Sequence, residues 1–508
     1  MKKREKSALF LFFANIYTVT ISSLLPFIVR TVLVRYMGME YAGVSSLFTS
    51  ILQVLNVADF GLSSALVYYL YKPAEENDTK LINTYMSFFK KIFHCVGVII
   101  FVAGIAILPF LHVLVKGKEY PTDLNIYVIY MSYVLQASLP YLLNFYIVTL
   151  LYAHLKGYVD SLIAGTSLLF MYVLQIFSII VLKNYYLFTL LLVIEKITQA
   201  LIYIWCKKKF FPWLKYNGNV SLEFKKDFKK NLVAMMLSKL RIISRNSFDS
   251  IVVSIFFGLT VLAKYQNYYQ IMIVPLMIIY MLRQSIQPSL GNGIVSENME
   301  SNYGIVKQYL FLNNFVSTIC IVCLLSLIQP FMKLWMGSEN LLNVDIVVCI
   351  SVYFYMLSVA EANVLFREAT GVWKEGKWIS ILESISNIVL NVFFAWLFGL
   401  WGIVLASILT VAFINIPLES YYVFSKYFKG KYWDFIRLLL KYTLITGFIT
   451  IISYIVCMKI EVINYGTMIL RILASVAFPA VCFIAVHHKD REFFTTKEFI
   501  LDIVKKMK

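Results

Sequence analysis

Fourteen stretches of about 20 mostly apolar residues, each long enough to cross a hydrocarbon core about 30 Å thick, recur along this chain of 508 residues. The first six are Ala8–Val34, Tyr41–Leu70, Ile92–Val115, Ile126–Leu151, Leu162–Leu182 and Tyr186–Trp205. A hydrophilic stretch follows, and then Leu232–Phe257, Tyr268–Ile286, Tyr309–Ile328, Val344–Leu365, Trp378–Phe398 and Ile403–Val423. Leu438–Met458 and Met468–Val486 close the series. Hydrocarbon offers the backbone no hydrogen-bond partners, so each stretch must satisfy its own, and each is expected to be a helix. With 60% hydrophobic and only 15% charged residues, the chain has too little polar surface to cover a soluble core. The expected fold is an all-α polytopic membrane protein. Lys2, Lys3, Arg4 and Lys6 precede a first apolar run too long for a cleaved signal, so that run is expected to be retained.

The net charge of +18 therefore belongs to loops, where it fixes orientation against anionic lipid; no nucleic-acid partner is implied. Of the 46 lysines and arginines, 32 fall on the side of the N-terminus, eight on the other, and six within or at the edges of spans. From that asymmetry both termini are expected in the cytoplasm, and the expected location is the bacterial cytoplasmic membrane. An error of one span would scramble it.

The longest hydrophilic interruption, Cys206–Asn231, divides the chain. Residues 1–206 are expected to form an N-terminal lobe of six helices, 207–230 a cytoplasmic linker, and 231–424 a second six-helix lobe around a central cavity. Residues 425–508 then hold two further helices and a cytoplasmic tail. Parallel repeats would be divided this way. Span one ends in RYMGMEYAG and span seven in FFGLTVLAKYQNYY, each a helix end with Gly followed by Tyr. Before span three, Asp78 can cap a helix with Leu81, Ile82, Tyr85, Met86 and Phe89 on one side. Lys80, Lys90 and Lys91 could meet lipid phosphates there, which reads as an interfacial helix.

Ionisable groups inside hydrocarbon cost roughly 2.5–3.5 kcal/mol on insertion scales and are functional candidates. Span seven carries Arg241, Arg245 and Asp249 at i, i+4, i+8, on one helical face, with Lys239 slightly off it. At about 1.5 Å per residue, Arg241 lies roughly 14 Å into the span and Asp249 about 26 Å. That depth favours a water-filled cavity over snorkelling for Arg245, with Asp249 either neutralising it or taking part in transport. Arg30 and Arg35 near the outer end of span one are cavity residues or snorkelling anchors. Asn56 and Asp59 stand one turn apart in span two, and Glu383, Asn387 and Asn391 form a polar stripe on span eleven. Arg283, Arg367 and Lys441 read as headgroup anchors. The expected substrate contacts are thus Arg241, Arg245, Arg30, Arg35, Lys239, Asn387 and Asn391, with Asp249, Asp59 and Glu383 as coupling or structural acids. An interior richer in cations than carboxylates suits an anionic, phosphorylated ligand.

Enzyme signatures are missing from the sequence. The five histidines lack a nucleophile or metal spacing, Cys320 and Cys323 lie inside an apolar run, and no Walker A, GxSxG or HExxH pattern occurs. No catalytic residue, metal or cofactor is expected; coupling to a proton or sodium gradient is left open.

Three segments carry a resemblance. RYMGMEYAGVSSLFTSILQVLNVADFGLSSALVYYLYKPAEENDTK, DSIVVSIFFGLTVLAKYQNYYQIM and FREATGVWKEGKWISILESISNIVLNVFFAWLFGLWGIVLASILT resemble the Wzx-type polysaccharide repeat-unit flippases. These belong to the multidrug/oligosaccharidyl-lipid/polysaccharide (MOP) exporter superfamily. Many relatives carry Glu where Asp59 stands here. The resemblance implies flipping of an undecaprenyl-pyrophosphate-linked oligosaccharide, of capsule or O-antigen type, across the cytoplasmic membrane. It also implies a cationic central cavity and alternating access, as in the lipid II flippase, and polysaccharide polymerase machinery as a partner. A drug antiporter of the same superfamily would favour a smaller, more acidic or aromatic cavity. A membrane polymerase would need a large external loop, and the longest here is about ten residues, around Lys116–Asn125.

Overall fold

The protein was analysed as a computed structural model that describes residues 3–56, 62–115, 120–296, 298–370 and 377–498. The side chains of 3–6, 8, 62–65, 231, 234–244, 246, 292, 295–296, 377 and 465 lie outside the description as well. The chain forms two compact units, Met1–Ala263 and Lys264–Lys508.

The first unit begins with α1 (Lys3–Tyr36), α2 (Met39–Leu55), α3 (Leu62–Glu75) and α4 (Thr79–Ile107), followed by the single turn α5 (Leu111–Leu114). Next come α6 (Ile126–Leu142), α7 (Ile147–Ala153), α8 (Gly157–Ile180), α9 (Tyr185–Phe210) and α10 (Leu222–Ile243). A π-helical turn, Ser244–Phe248, joins α10 to α11 (Asp249–Ser296), which crosses the division between the units and is interrupted at Gly258. Within this unit α1 packs along α8, α4 along α6, and α9 against α6 and α8.

The second unit holds α12 (Met299–Met336), α13 (Val344–Thr370), α14 (Lys377–Phe398) and α15 (Leu400–Thr410). A second π-turn, Val411–Asn415, leads into α16 (Ile416–Lys426), and α17 (Tyr432–Met458) and α18 (Tyr465–His487) complete it. Here α12 packs against α13, α17 and α18, and α14 against α15.

Among the described residues, eleven helices are long and apolar enough to cross a membrane, and twelve if the α6–α7 pair, bent by 52°, is one span. Of the fourteen expected spans, Tyr41–Leu70 runs through residues outside the description. Leu232–Phe257 has most of the side chains of its first half outside it. The chain is a multi-pass, all-helical membrane protein. Its many exposed apolar side chains, Phe13, Phe170, Leu201, Trp396 and Leu444 among them, are the lipid-facing surface such a protein requires.

One expectation is corrected. The amphipathic stretch after Asp78 is not a separate interfacial helix but the start of α4, which runs unbroken for 29 residues. Asp78 does cap it, its side chain accepting the Leu81 N–H at 2.9 Å. At 1.5 Å per residue, α4 is about 44 Å long, more than a hydrocarbon core requires, and its first turns are the amphipathic ones. Their apolar face meets protein instead of lipid: Tyr85 stacks on Phe224 at 4.8 Å, and Phe88 and Phe89 pack on Phe228 of α10.

Candidate functional site

In the first unit, α1 ends at a glycine break and delivers Arg30 into a buried junction. The guanidinium Nη1 donates to Ser46 Oγ at 3.0 Å and Nη2 to the Ala263 carbonyl at 3.0 Å. Ser46 passes the chain of bonds on, its hydroxyl donating to the Ala42 carbonyl at 2.9 Å. Arg30 is only 8% exposed, so it does not reach a headgroup in this arrangement, whereas Arg35 is exposed in the last turn of α1. The same guanidinium fork that suits phosphate here brackets α1, α2 and the start of the second half of α11.

Span seven holds Arg245 in the π-turn and Asp249 as the first residue of α11. Both are buried, at 8% and 1% exposure. The π-turn adds a residue to the local repeat, so the 3.6-residue spacing that aligned Arg241, Arg245 and Asp249 does not run unchanged through it. Four π-helical residues still come close to one turn, which keeps Arg245 and Asp249 near one face. Around them Ser247 Oγ donates to Gln53 Oε1 of α2 at 3.1 Å, and Ser254 Oγ to the Leu114 carbonyl at 2.6 Å. Asp59 and the side chains of Lys239 and Arg241 lie outside the described residues.

In the second unit, Glu383, Asn387 and Asn391 follow one another along α14, all fully buried. Asn387 Nδ2 donates to Ser407 Oγ of α15 at 2.9 Å, Asn391 Nδ2 to Asn387 Oδ1 at 3.3 Å, and Asn415 Nδ2 to Glu383 Oε2 at 2.9 Å. The stripe therefore binds α14 to α15 and to the second π-turn. It is a buried, amide-rich cluster with one carboxylate at its end, its polar groups bonded largely to one another.

Arg283 and Arg367, expected as headgroup anchors, are instead clasped by carboxylates. Arg283 Nε lies 2.8 Å from Glu361 Oε2, and its Nη1 pairs with Glu368. Arg367 Nη1 donates to Glu419 Oε1 at 2.8 Å. These acids stand on α13 and α16 and were not singled out in the sequence, although Glu361, Arg367 and Glu368 in AEANVLFREA already concentrate charge at one span end. Glu195 was missed too. It is 4% exposed in α9, accepts from Ser167 Oγ of α8 at 3.1 Å and from Gln199 Nε2, and pairs with Lys196 at 2.9 Å. Lys441 meets Asp490 Oδ2 at 2.9 Å, and His487 Nδ1 meets the same oxygen at 2.7 Å.

A family model described as polysaccharide biosynthesis protein matches residues 11–294, more than half of the chain. The chain belongs to that family. Its fold is similar to that of the lipid II flippase MurJ in an inward closed conformation, with a TM-score of 0.67 at 15% identity over 95% of this chain and 98% of that one. An inward-facing multidrug resistance MATE family transporter of the MOP superfamily gives a TM-score of 0.61 at 13% identity, over 81% of this chain and 98% of that one. The Vibrio cholerae MATE transporter VcmN gives 0.56 at 12%, over 85% and 100%. A sequence search of curated proteins finds no match. The family agrees with the resemblance drawn from the sequence, and the fold is shared with the flippase and the transporters just described.

Proposed function

We propose that this family member flips an undecaprenyl-pyrophosphate-linked oligosaccharide from the inner to the outer leaflet of the cytoplasmic membrane by alternating access. The observation that carries the reading is membership of the polysaccharide biosynthesis family in a membrane fold shared with a lipid II flippase. Lobes 1–206 and 231–424 would be the moving parts, joined by the 207–230 linker and followed by 425–508, with both termini in the cytoplasm. Arg241, Arg245 and Lys239 would meet the pyrophosphate, with Arg30 and Arg35 towards the outer end and Asn387 and Asn391 contributing from span eleven. Arginine offers a planar fork to phosphate oxygens, and the buried Arg245 is the described residue that best fits that role. Asp249, Asp59 and Glu383 would neutralise these cations or carry a coupling proton or sodium ion. Moving an anion outward also runs with an inside-negative potential, worth about 2.3 kcal/mol per charge per 100 mV.

A flippase acts after the lipid-linked unit is complete and before it is polymerised outside. Deleting the gene should leave full-length polyprenyl-linked units protected from an impermeant glycosidase in intact spheroplasts. Full-length units accessible from outside would overturn the reading in favour of a polymerase, and truncated units would point to an assembling enzyme. Normal units with raised sensitivity to toxic cations would identify a small-molecule exporter.

A further inference from the structure

The linker after α9 is not slack. Asn83 of α4 accepts two successive linker N–H groups on Oδ1, that of Lys215 at 2.5 Å and that of Tyr216 at 3.1 Å. Tyr216 takes a left-handed backbone, φ 54°, and Gly218 at φ 103° lies so close against Thr84 that no Cβ fits between them. These constraints, costly for a tyrosine, set its ring beside one face of α4. That face carries Ser87, Lys90, Lys91 and His94, at i, i+3, i+4 and i+7. Together with Tyr216 these four line a cavity of about 450 Å³.

The cavity is basic from two elements at once. Lys90 Nζ lies 5.1 Å from the centre of the Tyr216 ring and Lys207 Nζ of α9 lies 4.2 Å from it, so one aromatic ring braces two ammonium groups. The Lys90 carbonyl accepts from His94 Nδ1 at 2.8 Å, which orients the imidazole. Among the described residues, no salt bridge joins Lys90, Lys91 or Lys207 to a carboxylate, and no acid lines the cavity. Like charges held together by a strained loop, with no carboxylate counterion among the described residues, call for an anion from elsewhere. The Ser87 hydroxyl, 8% exposed, adds a neutral donor at the wall.

We propose that Ser87, Lys90, Lys91, His94 and Tyr216, with Lys207 against the same ring, form a binding site for a phosphate group. The site goes beyond the proposed transport and does not depend on it. Two sources share that chemistry: the headgroup of an anionic lipid, which the start of α4 is placed to meet where it leaves the hydrocarbon, and a free phosphate or diphosphate. Lipid is the source the position favours, on the side that the basic loops assign to the cytoplasm.

The test titrates the full-length protein, in neutral detergent, with dioctanoyl phosphatidylglycerol, with dioctanoyl phosphatidylcholine and with inorganic pyrophosphate. Saturable phosphatidylglycerol binding, weakened at least about tenfold in the Lys90→Gln/Lys91→Gln variant and kept in Lys90→Arg/Lys91→Arg, is expected from losing a charge-assisted hydrogen bond. Pyrophosphate binding that is lost in the same variant, without phosphatidylglycerol binding, would assign the site to a soluble phosphate. No preference for either probe over phosphatidylcholine would overturn the proposal. So would an equal loss in Lys225→Gln/Lys226→Gln, whose lysines lie outside the cavity. Should the double glutamine variant lose its wild-type melting temperature, His94→Gln with Ser87→Ala reads the same site without removing a lysine.

Discussion

Gly38 and Gly258 hold the same backbone conformation, φ 107° and ψ 172° at the first and φ 85° and ψ 173° at the second. This region is closed to residues with a Cβ. Gly38 breaks the chain between α1 and α2, and Gly258 interrupts α11 after span seven, so the two glycines do the same work at the ends of spans one and seven. The breaks also touch: a Cβ on Gly43 would collide with the backbone carbonyl of Leu259. The Gly-then-Tyr likeness of the two segments thus has a conformational basis, which supports an internal repeat.

Gly258→Ala should therefore lower stability by at least about 1–3 kcal/mol, the cost of its backbone strain. Gly43→Ala should destabilise through collision with Leu259. At Gly38 no neighbour lies within 4 Å of a built Cβ, so Gly38→Ala feels only the strain. Asparagine should not rescue either break, because its tolerance is for the left-handed helical region, not this one. Thermal denaturation of the detergent-solubilised protein reads all three, and an unchanged Gly258→Ala would mean the break is not held.

Arg30→Ala should cost about 1.5–3 kcal/mol, since its buried charge-assisted bonds to Ser46 and Ala263 vanish. Arg30→Lys should recover part of it, because one ammonium cannot span both acceptors at their fixed angle. If Arg30 met only substrate, both variants would melt as wild type while surface glycan fell. Melting temperature and glycan output measured side by side separate the two roles.

Around Arg283 two carboxylates share one guanidinium, all three side chains between 13% and 21% exposed. Removing the cation takes the shared positive charge from two acids in a low-dielectric setting, so Arg283→Ala should be the worst single change, about 3–5 kcal/mol. Glu361→Gln or Glu368→Gln alone should be milder. The triple variant with Arg283→Gln should fold better than Arg283→Ala, and membrane yield together with melting temperature checks the order.

The sequence carried the spans, the Asp78 cap and the polar stripe of α14 openly, because each is a local pattern of one helix. It could not carry the partners. Ser46 and Ala263 stand 16 and 233 residues from Arg30, and Glu361 and Glu368 stand far from Arg283, so only the fold brings them together. The two π-turns escaped a reading based on 3.6 residues per turn. The interfacial reading of early α4 failed because Phe224 and Phe228, far along the chain, cover the face that lipid would otherwise have covered. Glu195 was legible as a carboxylate in an apolar run and was overlooked beside Lys196.

At the end of α18, the Asp490 carboxyl is partly buried, which works to raise its pKa, but hydrogen bonds from His487 and Lys441 outweigh burial and hold it below the ordinary value. A carboxyl depressed in the folded state adds stability above its unfolded pKa of about 4 and loses it as pH falls through the folded value. The wild type should therefore lose melting temperature below about pH 4 more steeply than Asp490→Asn, in which this carboxylate is absent at every pH. Parallel curves for the two would show that Asp490 adds no acid sensitivity.

Arg245 and Asp249 flank the junction of the π-turn with α11, and both are buried, within the span expected from the sequence over Leu232–Phe257. A guanidinium retained there serves either the helix packing or a phosphate-bearing substrate, and the two uses respond differently to substitution. Arg245→Lys keeps the charge but not the planar fork, so packing by charge survives while bidentate phosphate recognition weakens. With a substrate role, Arg245→Lys should reach the membrane at wild-type levels yet deliver clearly less surface glycan, and Arg245→Ala should deliver none. Asp249→Asn should then shift the dependence of glycan output on the proton or sodium gradient if the acid couples transport, and leave it unaltered if it only neutralises Arg245. Quantifying membrane-embedded protein and surface glycan in the same cells decides the matter: full glycan output from Arg245→Ala would remove Arg245 from the transport path.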